Sequence, residues 1–279
     1  TMTEIEADAK TRVRKAGANS VRNTSKLVWG EFVHFTARPV DGLPDPHLHS
    51  HCFVLNATFD EHEKKWKAVD LSSIKAAGHY HEAAFHSRLA KAVADLGYAV
   101  QRSKAGWEIA GVPAEVNRRF SRRTARIEAK AKQLGVSDPK QKEKLGAATR
   151  EAKMPELSDA ELQLRWRARL SDAELDAILG LKDRRERNHG RSAAEGVAHA
   201  LRHCFERKSV VAETDLLAEA LKHTVGSATV EEVKAEFAHS EALHRTVEGQ
   251  RLVTTRSVLS EEKRMIAFVL AAALIALAV

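Results

Sequence analysis

The chain has 279 residues, 43% hydrophobic and 30% charged, with a formal net charge of +7 and an isoelectric point near 9.4. That length allows one large domain or two modest ones with a packed core, and the basic excess suggests an anionic partner, nucleic acid first. The two cysteines, Cys52 and Cys204, sit in unrelated contexts, which excludes a disulfide framework or a zinc ribbon and fits a reducing cytoplasm.

The opening TMTEIEADAK is polar and acidic, unlike a signal peptide, and reads as the end of a helix. A strand is expected over Arg12 to Lys15, then a turn rich in Gly, Asn and Ser. Lys26 to Ala37 carries β-branched and aromatic residues and reads as a strand. RPVDGLPDP must be a loop, and HLHSHCFVLNATF is the next strand, antiparallel to the one before. After Asp70 the period becomes helical. Phe85, Leu89, Val93 and Leu96 form the expected apolar stripe of a helix that Gly97 stops. A hairpin turning at Lys104–Gly106 follows. One long helix is then expected from Pro113 to Leu134, with Val116, Phe120, Ile127 and Leu134 on its apolar face.

From about residue 136 the chain reads as helical. SDAEL occurs at Ser158–Leu162 and Ser171–Leu175, each a capping box with Ser at the cap and Glu three residues on. The polar run 182–192 is the expected domain boundary, dividing 1–181 from 182–279. Beyond it come expected helices over Ala193–Lys208, Thr214–His223 and Thr229–Phe237, then a strand-like RLVTT. The uncharged run from Met265 to Val279 is shorter than the roughly 20 residues of a spanning helix. A core helix separated from its partners is the expectation; a membrane-inserting tail and a shifted reading frame are the alternatives.

The informative side chains are His34 and the pair His49 and His51. Histidines at i and i+2 on a strand share a face. A third on the neighbouring strand could close a three-nitrogen site with positions left open for substrate. Spacing alone also admits surface histidines on an edge strand. His47 has the same parity and reads as a rim histidine or a further contact. A second feature is the crowd of Arg118, Arg119, Arg122, Arg123 and Arg126, suited to bidentate phosphate contacts or to a solvated charged face. Trp29, Trp66 and Trp107 read as core, with base stacking the alternative.

The stretch FVHFTARPVDGLPDPHLHSHCFVLNATFD resembles the three-histidine motif of MobF-class conjugative relaxases, within the HUH endonuclease superfamily. The matching positions are His34, Thr36, Arg38, Pro46, Leu48, His49, His51 and Asn56. The resemblance continues through YHEAAFHSRLAKAVADLGY, WEIAGVPAEVNRRFSRRTARIE and GAATREAK. It implies an α+β fold, with an antiparallel sheet flanked by helices, followed by a mainly helical C-terminal region. It also implies a divalent metal (Mg, Mn or Zn) on His34, His49 and His51, and single-stranded DNA at a transfer origin on Arg38, Arg119, Arg122, Arg123 and Arg126. No small-molecule cofactor or membrane partner is expected.

In that family the nucleophilic tyrosines lie upstream of the histidine motif. Here the only tyrosines are Tyr80 and Tyr98, both expected to be packing residues. The expectation is therefore a relaxase fragment, inactive in strand cleavage alone, whose partner would be the missing N-terminal segment. Two alternatives are a silent DNA-binding remnant and an unrelated metal hydrolase, although Asp41 and Asp45 read as turn formers rather than bases. The last ninety residues resemble the start of the following helicase region. No GxxxxGK[ST] occurs, so no ATP site is expected.

Overall fold

The computed structural model describes residues 1–103, 106–151, 157–182, 190–247 and 249–277, with the side chains of the last helix described up to position 271. Helix α1 (Met2–Ala7) leads into the hairpin β1 (Lys10–Lys15) and β2 (Ala18–Asn23). Strands β3 (Val28–Thr36) and β4 (Pro46–Leu55) follow, then short strands β5 (Thr58–Asp60), β6 (Lys65–Lys67) and β7 (Val69–Asp70). Next come α2 (Ser72–Ala76), α3 (Gly78–Asp95), β8 (Val100–Ser103), β9 (Gly106–Ile109), α4 (Ala114–Arg119), α5 (Arg122–Gln133) and α6 (Pro139–Ala148). The rest is α7 (Asp159–Arg167), α8 (Asp172–Leu179), α9 (Ala193–Phe205), β10 (Val211–Ala212), α10 (Glu213–Thr224), α11 (Val230–His239), β11 (Ala242–Val247), β12 (Gln250–Thr255) and α12 (Arg256–Leu277).

The expected α+β class holds, with the strands distributed over several small sheets. These run in the orders β2-β1-β7, β10-β12-β11, β3-β4, β5-β6 and β8-β9. The polar stretch expected as a turn after Lys15 is mostly strand β2. Only Ala16 (φ 50°) and Gly17 (φ 81°) turn, because two successive left-handed residues suffice to reverse a twisted hairpin. The expected hairpin after Tyr98 is β8–β9, its turn lying partly outside the described residues.

The chain packs into two compact units: Thr1–Val28 with Asn56–Ile109 and Arg185–Val279, and Trp29–Leu55 with Ala110–Arg184. The break near 184 falls inside the polar run expected as a boundary. The residues after it are not a domain apart, however. Val197, Leu216, Leu221, Val230, Val233 and Val253 share one core with Tyr80, Ala83 and Ala84 of α3. The C-terminal region is mainly helical, as expected, and the expected strand RLVTT lies in β12, which pairs with both β10 and β11.

Helix α3 packs by the face opposite to the expected stripe. Phe85 and Leu89 are 46% and 36% exposed, whereas Tyr80, Ala83, Ala84, Ser87 and Ala90 are buried. Small residues let α3 approach its neighbours closely, and burial by close packing outweighs side-chain size. Gly196 plays the same part between α9 and α10. A Cβ there would lie 2.4 Å from Thr224 Cγ2 and 3.2 Å from the Ala220 carbonyl oxygen. Gly196→Ala is therefore expected to cost about 1–3 kcal/mol by overpacking. Urea denaturation checks this, and an unchanged midpoint would show that the two helices separate freely.

In the second unit the expected helix from Pro113 to Leu134 is broken at Phe120–Ser121 into α4 and α5. The Ser121 hydroxyl bonds back to the Asn117 carbonyl at 2.6 Å. The buried carboxylate of Asp45 accepts the first N–H of α5, from Arg122, at 3.0 Å. A side-chain acceptor at a helix start satisfies an otherwise orphaned donor. Asp45 is thus a capping and pairing group, not simply a turn former.

Helix α12 carries the apolar tail. Met265, Ile266, Phe268, Val269 and Leu270 are all exposed, so no core receives it among the described residues. Among the described residues no helix is long and apolar enough to cross a membrane.

Candidate metal centre

Strands β3 and β4 are neighbours in a two-stranded ribbon. Phe32 faces Phe53 with ring centroids 5.7 Å apart, and His34 faces His51 at 5.2 Å. As one strand's numbers rise the partner's fall, so the strands run antiparallel. The alternation places Phe32, His34, His49, His51 and Phe53 on one face. On the other, the Ser50 hydroxyl donates to Glu31 at 2.6 Å. Gly30 matters to this pairing: a Cβ would lie 2.5 Å from Cε1 of Phe53, so the missing side chain makes room for the ring.

The three histidines named from sequence come together. His34 and His49 are 5.5 Å apart by ring centroid, His34 and His51 5.2 Å, and His49 and His51 5.0 Å. His49 Nδ1 lies 2.8 Å from the His47 carbonyl oxygen. A carbonyl only accepts, so Nδ1 carries the proton and Nε2 keeps a free lone pair, the tautomer a metal-binding imidazole needs. His47 stacks on His49 at 4.5 Å, and desolvation and the charge of His49 hold its titration below the ordinary range.

Among the described residues, no group of three His, Cys, Asp or Glu side chains is so disposed that it could hold a metal ion as it stands. The spacing of the three imidazoles suits a shared ion, since metal–nitrogen distances near 2.0–2.1 Å put the rings of one site roughly this far apart. Side-chain rotation sets where the ring nitrogens of such a group aim. The exposed ribbon leaves such rotation open, because both strands are mostly uncovered.

The arginines divide into two sets. The Arg119 guanidinium grips both carboxylate oxygens of Glu174, at 2.8 and 2.9 Å, and donates to the Arg169 carbonyl at 2.7 Å. Arg122 donates through Nε to Asp45 at 3.0 Å and to the carbonyls of Val40 and Leu43 at 3.2 and 2.6 Å. These two brace the fold of their own unit. Their bidentate geometry suits a carboxylate or a carbonyl pair as well as a phosphate.

Arg123 donates to the Gly146 carbonyl at 2.5 Å, and Arg126 pairs with Glu151. Desolvation together with Arg150, Arg38 and Arg126 brings the titration of Arg123 down, so these four guanidiniums crowd one place with Glu151 as counter-charge. Arg38 is exposed and makes no ion pair among the described residues. Arg150, at the end of GAATR, was missed from sequence, because only folding brings it near Arg123.

The remaining candidates take structural places. Asn56 accepts the Val69 N–H at 3.0 Å. Tyr80 is buried, donates to Glu4 at 2.8 Å, and burial raises its titration, so it is a poor nucleophile. Tyr98 is partly buried beside the end of α3, where its N–H meets the Val93 carbonyl. Trp107 packs with Ala90 and Val100, while Trp29 and Trp66 are more exposed than expected, at 37% and 62%.

The family model described as TrwC relaxase matches residues 1–173. The multifunctional conjugation protein TraI of Escherichia coli strain K12 is 30% identical over 242 residues, covering 77% of this chain and 13% of that protein. A metal-free structure of the conjugative relaxase TrwC in complex with OriT DNA superposes with a TM-score of 0.56 at 27% identity, covering 65% of this chain and 62% of that one. Its metal-bound counterpart gives the same score and identity over 65% and 61%. The chain therefore spans under two thirds of these solved chains and a small part of the curated relative.

Proposed function

Because the chain belongs to the TrwC relaxase family, we propose that it is the metal-binding and DNA-binding part of a relaxase that nicks and rejoins one strand at a plasmid transfer origin. The observation that carries this reading is the convergence of His34, His49 and His51 on one face of the β3–β4 ribbon. Those residues would hold a divalent ion, and an ion there would neutralise charge developing on a phosphodiester. The solved relatives support it, since one is described as metal-bound and both as complexes with OriT DNA.

Within this reading, DNA backbone contacts fall to Arg38, Arg123, Arg126 and the added Arg150, whose crowded positive charge an anion would relieve. Arg119 and Arg122 leave the contact set. The burial of Tyr80 and its bond to Glu4 favour a nucleophile supplied by a segment other than those described. On that basis this chain by itself binds DNA without cleaving it.

A calorimetric Mn²⁺ titration tests the metal assignment, comparing the chain with a His49→Ala/His51→Ala variant. One saturable site that disappears in the variant is the expected result. Absence of binding in a chain that circular dichroism shows to be folded would remove the metal and leave the DNA-binding remnant as the reading.

A further inference from the structure

A groove of about 510 Å³ opens between helices α4, α7 and α8, within the unit formed by Trp29–Leu55 and Ala110–Arg184. That volume falls in the range of small-ligand sites. Its floor is apolar and carries two aromatic rings, Phe120 and Trp166. Both rings are fixed by neighbours. The Trp166 indole N–H donates to the Pro44 carbonyl at 2.8 Å. The Arg169 guanidinium, bound to Asp45 at 2.7 Å, lies 4.1 Å from the Phe120 ring centroid. Rings locked in this way stack a flat ligand at little entropic cost.

The rim is polar. Gln163 and Arg167 stand one turn apart on α7, and Asn117 stands on α4. Among the described residues, none of these three side chains makes a hydrogen bond or an ion pair. Two amides therefore keep their donors and acceptors, and a guanidinium keeps its fork of donors. Arg167 is the one charged side chain among the described residues that line the groove, so no carboxylate within it competes for the guanidinium.

The groove is continuous with the candidate metal centre. Pro46, the first residue of β4, forms part of its wall. The next residue, His47, stacks on His49 with ring centroids 4.5 Å apart. Along the strand, Pro46 and His49 are separated by about 10 Å. A DNA strand with a phosphate at the histidines thus has a neighbouring nucleotide within reach of the groove.

We propose that this groove receives one unstacked base of single-stranded DNA, beside the nucleotide held at the metal centre. Phe120 and Trp166 supply the stacking surface, Asn117 and Gln163 bond the polar edge of the base, and Arg167 takes its phosphate. Single-stranded DNA as the occupant rests on the relaxase reading. A concave apolar floor beneath unspent amides sets this site apart from the crowd of Arg38, Arg123, Arg126 and Arg150, which offers charge to backbone phosphates.

The test compares the full chain with an Asn117→Ala/Gln163→Ala variant. Both substituted residues are exposed, so the variant is expected to keep the circular dichroism of the parent. Two labelled probes of equal length are titrated by anisotropy over a range of KCl: an oligothymidylate, and an abasic backbone with the same phosphates. The expected result is a preference for the oligothymidylate that falls about tenfold in the variant, while abasic binding and its salt slope stay unchanged, because the amides carry no charge. Arg167→Gln is expected to weaken both probes and to reduce the salt slope by about 0.7 for one lost phosphate. An unchanged preference in a variant that still binds both probes overturns the base site and leaves the relaxase reading intact. Equal weakening of both probes by the amide variant also overturns it, since a base contact cannot be lost from a backbone without bases. Binding of neither probe by the parent overturns the DNA arm of the relaxase reading and the groove with it.

Discussion

Asp45→Ala is expected to destabilise the unit formed by Trp29–Leu55 and Ala110–Arg184 by about 3–5 kcal/mol, the cost of removing one partner from a buried charged network. Asp45 is 4% exposed and receives three donors: the Arg122 N–H and Nε, each at 3.0 Å, and Arg169 Nη1 at 2.7 Å. Removing the carboxylate leaves the Arg122 and Arg169 guanidiniums with carbonyl partners but without the counter-charge of Asp45, and uncaps α5 in the same step. Around this centre the Trp166 indole donates to the Pro44 carbonyl at 2.8 Å, and the Arg169 guanidinium lies 4.1 Å from the Phe120 ring centroid. Trp166 fluorescence in urea and hydrogen exchange along α5 read the loss locally. An Asp45→Asn variant, which keeps the cap acceptor and loses the charge, should fall between parent and alanine. A midpoint for Asp45→Ala within error of the parent would contradict the role of Asp45 as the centre of the network.

Glu4→Gln is expected to remove about 2 kcal/mol of stability at neutral pH, after discounting for solvent screening. The Glu4 side chain is 24% exposed. Burial alone raises its titration, but hydrogen bonds from Arg88 at 2.6 Å, Lys234 at 2.5 Å and Tyr80 at 2.8 Å outweigh that and bring it down from 4.5 to about 2. The sign follows from linkage. A carboxyl titrating lower in the folded than in the unfolded chain contributes its full stability above the unfolded value. That contribution drains away as pH falls from 4.5 through 2. The difference between parent and Glu4→Gln should therefore be largest at neutral pH and vanish near pH 2, as measured by urea midpoints across that range. A difference that stays constant through the window would assign the loss to packing instead.

What could be read from sequence were the features carried by neighbouring residues. Alternation and β-branched composition marked the two ribbon strands, and the i, i+2 spacing placed His49 and His51 on one face, where His34 joins them. The capping boxes at Ser158 and Ser171 formed as written, because every bond in them closes within three residues. The helical periods after Asp70 and beyond the polar run 182–192 also correspond to helices α3, α9, α10 and α11.

What only the tertiary structure decided were the choices between partners of similar chemistry. An arginine reads the same on a helix whether it meets a phosphate, Glu174 or Asp45. Arg119 and Arg122 became internal clamps because folding brought carboxylates and carbonyls to them from 55 and 77 residues away. The broken helix at Phe120–Ser121 has the same origin, since its second half is capped by Asp45 from across the unit. For α3, the sequence favoured the large apolar side chains, while packing selected the small ones that permit close approach. The crowding of Arg150 on Arg123, and the stack of His199 on His223, likewise arise only when distant segments meet. Local patterns are set by bonds a few residues long, whereas the allocation of charged side chains depends on which surfaces the fold brings together.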